Sequence, residues 1–186
     1  MVKYYDMSAI TNSVKDMTRL ELDSIMSNNN FIYDTKEFES KFRQFTGANY
    51  CVGVSSGTAA LHLALEAIGI KQGDQVATVS HTFRATVAAI KYVGAEPVYV
   101  DIEPHSYCMN PNILKKTLDN NPNIKAVVVV HLYGNSADIE KIANICQTYN
   151  VKLIEDCSQA HGTYKKGKHV GTFGDIGTFS FFPGKG

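Results

Sequence analysis

A chain of 186 residues, with 44% hydrophobic and 19% charged side chains, has the make-up of a globular protein with one substantial core, not of a disordered segment. Its 18 basic and 18 acidic residues cancel, which excludes the electrostatic footprint of a nucleic-acid or anionic-membrane binder. No apolar run reaches the ~18–20 residues a bilayer span needs, and Met1-Val2-Lys3-Tyr4-Tyr5-Asp6 lacks the apolar centre of a signal peptide.

In chain order, Met17–Met26 reads as a helix with Leu20, Ile25 and Met26 apolar. Asp34, three residues before Glu37, is a cap-like start for a helix through Phe38, Phe42 and Phe45, and Gly47 ends it. From residue 50 onward, β-branched runs alternate with helical patterns. The expected strands are Tyr50–Val54, Gln75–Val79, Pro97–Val100, Ala126–Val130, Val151–Glu155 and Gly177–Phe182. The expected helices are Thr58–Ile68, Ala85–Val93, Ile113–Leu118 and Ile139–Tyr149. Nearly continuous Val, Ile and Leu runs suit strands buried on both faces. The alternation predicts an α/β fold, a mostly parallel sheet flanked by helices. Tyr164–Lys168 reads as a two-strand excursion around Gly167 with a solvated lysine tip. Cys51, Cys108, Cys146 and Cys157 form no CxxC or CxxxH pair, so no zinc framework or other metal site is expected. Reduced thiols and a cytoplasmic location are expected with them.

Ligands of open parallel sheets bind at the carboxyl ends of the strands. The polar residues of interest fall there. Ser55-Ser56-Gly57-Thr58 follows a strand and opens a helix, so its free N–H groups suit a phosphate, though Ser56 or Thr58 could serve only as an N-cap. Asp156 ends an apolar strand, where a carboxylate needs a cation such as a protonated pyridine or else caps the next turn. Glu155 competes for that role but alternates to the opposite face. Phe83 is placed either to stack on a flat heterocycle or to fill core. Lys185 follows an apolar run and is either a nucleophilic lysine or an exposed terminal one. His131 and His161 follow strands and either line the site or are structural. The absence of a G-x-S-x-G elbow argues against a Ser-His-Asp hydrolase.

Taken together, the segments SSGTAALHLAL, GDQVATVSHTFRATVAAI, GAEPVYVDIEP, VVVVHLYGNSADI and IEDCSQAHGTYKKGKHVGTFGDIGTFSFFPGK resemble the DegT/DnrJ/EryC1/StrS family of pyridoxal 5'-phosphate (PLP)-dependent sugar aminotransferases, in the family's order, from about residue 31 to 185. The resemblance implies the aspartate aminotransferase fold (fold type I). It makes Lys185 the Schiff-base lysine and Asp156 the partner of the pyridine nitrogen. It puts Gln159 near the phenolic oxygen, Phe83 at the stacking position, and Gly57, Thr58 and Ser180 at phosphate-binding positions. The lysine separates the chain from the dehydratase branch, where histidine replaces it. The string FSFFPGK looks more like the branch that aminates 3-keto sugar nucleotides than the 4-keto branch.

By the same resemblance the reaction is ping-pong. An amino donor, L-glutamate, gives its amino group to the cofactor, and a keto-deoxy sugar nucleotide receives it, in cell-surface polysaccharide or amino-sugar biosynthesis. Lys185 serves as general base and acid. A homodimer is expected for the full-length protein. Family members continue past the lysine into a glycine-rich segment and a small C-terminal domain. The expected organisation is therefore a helical segment over residues 1–48 and a partial PLP-binding large domain over 49–186, with the small domain absent and Gly186 a cut through the site. The alternative is a truncated, non-catalytic fragment that binds PLP or a subunit.

Overall fold

The structure, a computed structural model, describes residues 7–29 and 34–185. Met1–Asp6, residues 30–33, where the family resemblance starts, and Gly186 lie outside the described residues. The chain divides into two compact units, Met1–Phe38 and Glu39–Gly186. In the first, α1 spans Ser8–Asn28, well beyond the expected Met17–Met26, because no glycine or proline interrupts it before Asn29 takes a left-handed conformation. No residue of α1 is buried within the chain; Ile10, Val14, Met17, Leu20 and Met26 are exposed. Helix α2 (Lys36–Thr46) begins beyond Asp34, whose carboxylate accepts the N–H of Lys36.

The second unit holds a five-stranded sheet, all parallel, in the order β2-β1-β3-β4-β7. The strands are β1 (Gln75–Thr78), β2 (Glu96–Tyr99), β3 (Ile124–Val130), β4 (Lys152–Asp156) and β7 (Ile176–Thr178). Helices α3 (Gly57–Ala67) and α4 (Arg84–Tyr92) cover one face; α5 (Pro111–Asn120) and α6 (Ile139–Thr148) cover the other. The split follows from chain handedness. The crossover through α4 runs outward from β1 to β2, while that through α6 runs the opposite way from β3 to β4. Right-handed crossovers in opposite directions must lie on opposite faces.

Strand alternation feeds both cores. Val76, Ala126, Val128 and Ile154 pack with Leu61, Leu65 and Ile90, whereas Ala77, Val127, Val129 and Leu153 pack with Leu114, Ile139 and Ile142. Each fully buried aliphatic side chain contributes about 1.5–3 kcal/mol. Pro97 is tolerated because β2 is an edge strand. The two-residue strands β5 (Tyr164–Lys165) and β6 (Lys168–His169) form the expected hairpin, with Lys166 and Gly167 both at positive φ.

Two expectations about strands are corrected. Tyr50–Val54 has the exposure alternation of a strand, with Tyr50 and Val52 outward, but no strand pairs with it among the described residues. β-Propensity without a neighbouring edge leaves an irregular segment, held at Gly53 by the Glu39 carboxylate (2.7 Å). The last strand stops at Thr178 rather than Phe182. Phe179 turns instead to Cys157, Ala160 and Val170, and Phe42 of α2 meets the rings of Phe179 and Phe181 edge-on at 4.9 and 5.2 Å. No helix among the described residues is long and apolar enough to cross a membrane.

Candidate active site

The sheet order reverses between β1 and β3, since β1 leads outward to β2 while β3 leads to β4 and β7. A crevice at the carboxyl ends of the strands beside such a switch point is where an open α/β sheet takes its ligand. Asp156 is the last residue of β4, in register with Val130 and Thr178, and is 5% exposed. Its parity with Ile154 turns it toward α4. Thr86, in the first turn of α4, donates its hydroxyl to Asp156 Oδ2 (2.9 Å), and Thr82 lies 2.8 Å behind Thr86. The N–H of Ser158 donates to Oδ1 (3.1 Å). The carboxylate therefore does cap the following turn, and two donors fix its plane. A carboxylate has about four lone-pair sites, so capacity remains for a cationic N–H.

The phosphate-type turn divides its labour. Ser56 is the N-cap of α3, accepting the N–H of Ala59 on Oγ (3.1 Å). The N–H groups of Gly57 and Thr58 meet no acceptor among the described residues, and they carry the positive end of the α3 dipole. Ser180 closes in on this turn. A Cβ built on Gly57 would lie 2.7 Å from Ser180 Cβ and 3.2 Å from its Oγ. The glycine is needed for close approach, its φ being ordinary. Gly57→Ala should accordingly cost about 1–3 kcal/mol by overpacking; an unchanged urea midpoint would contradict the close approach.

Phe83 is not core: it is the N-cap position of α4, 58% exposed. Lys185 Nζ lies 5.5 Å from the centre of its ring, and Lys185 is half-buried. Gln159 accepts the N–H of Tyr133 on Oε1 (2.8 Å), which orients its amide NH2. The structure thus gathers the phosphate turn with Ser180, Phe83 with Lys185, and Asp156 with the loop that carries Gln159.

Thr86 had no local signal, because it meets Asp156 across 70 residues of sequence. Tyr107 and Tyr133 were also missed. Both hold left-handed φ (57° and 56°) and flank His81, with ring centres 5.8 and 6.3 Å from it. His161 donates from Nε2 to the Ser180 carbonyl (2.9 Å), while its Nδ1 is buried with no partner among the described residues. Burial, with Lys185 and His169 nearby, pushes the His161 pKa down against the Ser180 bond, so the ring is neutral at pH 7.

On the opposite face of β4, His131, Glu155 and Cys157 bring potential ligand atoms within 4.8 Å of one another, all buried. The ligand atoms of Glu155 and His131 are already committed. Glu155 accepts from His131 Nε2 and from the N–H groups of Gly171, Phe173 and Gly174 at 2.7–3.0 Å. His131 Nδ1 accepts the N–H of Ala137 (3.2 Å), which fixes the tautomer that donates from Nε2. Burial, with the charges of Glu155 and Asp156, pushes the Cys157 thiol well up, so it stays protonated. The cluster is a closed structural network that keeps Glu155 off the ligand face.

The residues at the sheet end fit an aromatic phosphate of the PLP type: unpaired helix amides with a glycine–serine cradle at one end and a buried carboxylate at the other. Residues 14–186 match the family model of the DegT/DnrJ/EryC1/StrS aminotransferase family. The chain is 43% identical over 179 residues to a GDP-perosamine synthase of Escherichia coli O157:H7, covering 95% of this chain and 48% of that protein. It is 38% identical over 183 residues to a dTDP-3-amino-3,6-dideoxy-alpha-D-galactopyranose transaminase of Aneurinibacillus thermoaerophilus, covering 97% and 50%. The structure of NtdA from Bacillus subtilis with bound cofactor PMP superposes with a TM-score of 0.85 at 32% identity, covering 94% of this chain and 39% of that one. The chain spans about half the length of the curated relatives it matches.

Proposed function

The chain belongs to the DegT/DnrJ/EryC1/StrS aminotransferase family, and from that premise we propose that it works as the cofactor-binding part of a PLP-dependent aminotransferase that gives an amino group to a keto-deoxy sugar nucleotide. The observation that carries this reading is the convergence of Gly57, Ser180, Asp156 and Lys185 on one end of a parallel sheet. Its cofactor is pyridoxal 5'-phosphate. The cofactor bound by NtdA, PMP, is the amine form of the same group. The fold is the large domain of a fold-type I aminotransferase.

When bound, PLP supplies the electron sink that makes a Cα–H bond of an amino acid acidic. The remaining work belongs to the chain. The Gly57 and Thr58 amides and the Ser180 hydroxyl hold the phosphate, aided by the α3 dipole. Asp156, with its plane fixed by Thr86 and Ser158, holds a proton on the ring nitrogen. Gln159, its Oε1 held by the Tyr133 N–H, would offer its NH2 to the phenolic oxygen, and the exposed Phe83 would stack on the ring. Lys185 Nζ would be the amine that anchors the cofactor and, once released, the base that removes the proton from the donor's Cα. L-Glutamate is the donor and the full-length protein is a homodimer in this reading; the product enters amino-sugar or cell-surface polysaccharide synthesis.

The preferred substrate is a 3-keto sugar nucleotide. The FSFFPGK string supports it, as does the 3-amino sugar in the name of the A. thermoaerophilus relative. The test offers the full-length protein, with PLP and L-glutamate, a 3-keto and a 4-keto sugar nucleotide. Faster turnover of the 3-keto compound is expected; preference for the 4-keto one overturns the position, and turnover of neither overturns the substrate class. Asp156→Asn should lower amino transfer about 10²–10³-fold, the loss of one charge-assisted contact left facing a cation. A folded Asn variant of undiminished rate would remove Asp156 from the mechanism.

A further inference from the structure

We propose that His161 is a positioning residue for the phosphate end of the site: its Nε2–H, bonded to the Ser180 carbonyl, keeps the Ser180 hydroxyl against the N-terminus of α3. This rests on the cofactor reading above. His161 lies in the loop after β4, five positions beyond Asp156, and Ser180 lies just beyond the end of β7. The 2.9 Å bond between them ties the loop that follows Asp156 and carries Gln159 to the segment that leads to Lys185. Ser180 has little freedom of its own. Ser180 sits so near the α3 N-terminus that a Cβ on Gly57 would lie 2.7 Å from its Cβ and 3.2 Å from its Oγ, and drift away from α3 withdraws the hydroxyl. After Thr178, Ser180 has no ladder bonds to hold it.

The surroundings show that the imidazole is kept for its donor rather than for its bulk. The ring lies between Phe179 (5.9 Å, 51°) and Phe181 (5.1 Å, 60°), the two neighbours of Ser180. A phenyl ring would suit that cage and bury no polar atom. The histidine instead hides an unpartnered Nδ1, a desolvation cost that ring packing alone does not require. The bond at Nε2 is the feature that a phenylalanine could not supply.

The test separates the phosphate from the rest of the cofactor. The full-length protein and its His161→Phe and His161→Gln variants are titrated with PLP and with pyridoxal, which lacks the phosphate, and binding is read from the visible band of the lysine-linked cofactor. His161→Phe should weaken PLP about tenfold, the loss of one buried hydrogen bond, and leave pyridoxal unchanged. His161→Gln, whose amide nitrogen reaches the Nε2 position, should stay within about twofold of the parent for PLP. Equal losses for both ligands, no loss in the Phe variant, or a Gln variant as weak as Phe would overturn the proposal. If His161→Phe does not fold by circular dichroism, His161→Asn, which reaches only the Nδ1 position, replaces it with the same expected losses. A parent protein with no band for either compound overturns the functional reading itself, and this inference with it.

Discussion

Lys185→Ala will abolish the visible band of the lysine-linked cofactor and reduce amino transfer by at least about 10⁴-fold, because one substitution removes both the covalent anchor and the general base. Two independent measurements check this on the full-length protein. Borohydride reduction should fix the cofactor to the peptide containing Lys185 in the parent and leave that peptide unmodified in the variant. Pre-steady-state mixing with L-glutamate should show amino transfer to the cofactor in the parent alone. Lys185→Arg separates charge from nucleophilicity: it retains a cation near Phe83, 5.5 Å from the present Nζ, but cannot form the linkage, and should behave like alanine. A variant that keeps the band would assign the linkage to another lysine.

The second large effect lies away from the ligand. Glu155→Gln should destabilise the fold by about 3–5 kcal/mol, the cost of breaking the hydrogen-bond network that satisfies a buried carboxylate. The glutamine keeps the volume, but its NH2 faces N–H groups that now meet a carboxylate oxygen. The pH dependence follows from the same contacts. Burial alone would raise the Glu155 pKa, but the His131 hydrogen bond and the amides of Gly171 and Gly174 outweigh it and hold it below the ordinary 4.5. A depressed folded-state pKa contributes stability that is fully present above 4.5 and is lost as pH falls through the lower folded-state value. Urea midpoints should therefore show a constant gap between parent and variant above pH 4.5 that narrows in more acidic solution. Asp175, held low against burial by the Leu153 amide and Lys152, is common to both proteins and cancels from the gap. A gap that widens in acid would reverse the assignment of Glu155 as a buried anion.

Much of the architecture was legible because it rests on local chemistry. The Val-rich run at 126–130 and the apolar stripe of α6 each identify their element unaided. Tyr50–Val54 was misread for the complementary reason. Its residues favour a strand, but a strand exists only where a neighbouring edge accepts its hydrogen bonds, and pairing is not a local property. The end of β7 was overextended because Phe179–Phe182 is apolar, and the sequence does not say whether an apolar residue buries against a sheet or against the rings of α2.

The site divides along the same line. The sequence by itself determined the alternating fold, the strand-end placement of Asp156, and the family to which the motifs point, because strand and helix periodicity and motif order are written along the chain. Alternation alone also assigned Glu155 and Asp156 to opposite faces. Only the tertiary structure decided that Thr86 and Ser158 fix the Asp156 carboxylate, that Ser180 and Gly57 need each other's smallness, and that His161 joins two loops. These contacts join residues that different crossovers bring together, up to 70 positions and 123 positions apart for Thr86–Asp156 (86 to 156) and Gly57–Ser180 (57 to 180). Packing in three dimensions selects such partners, and no local propensity encodes them.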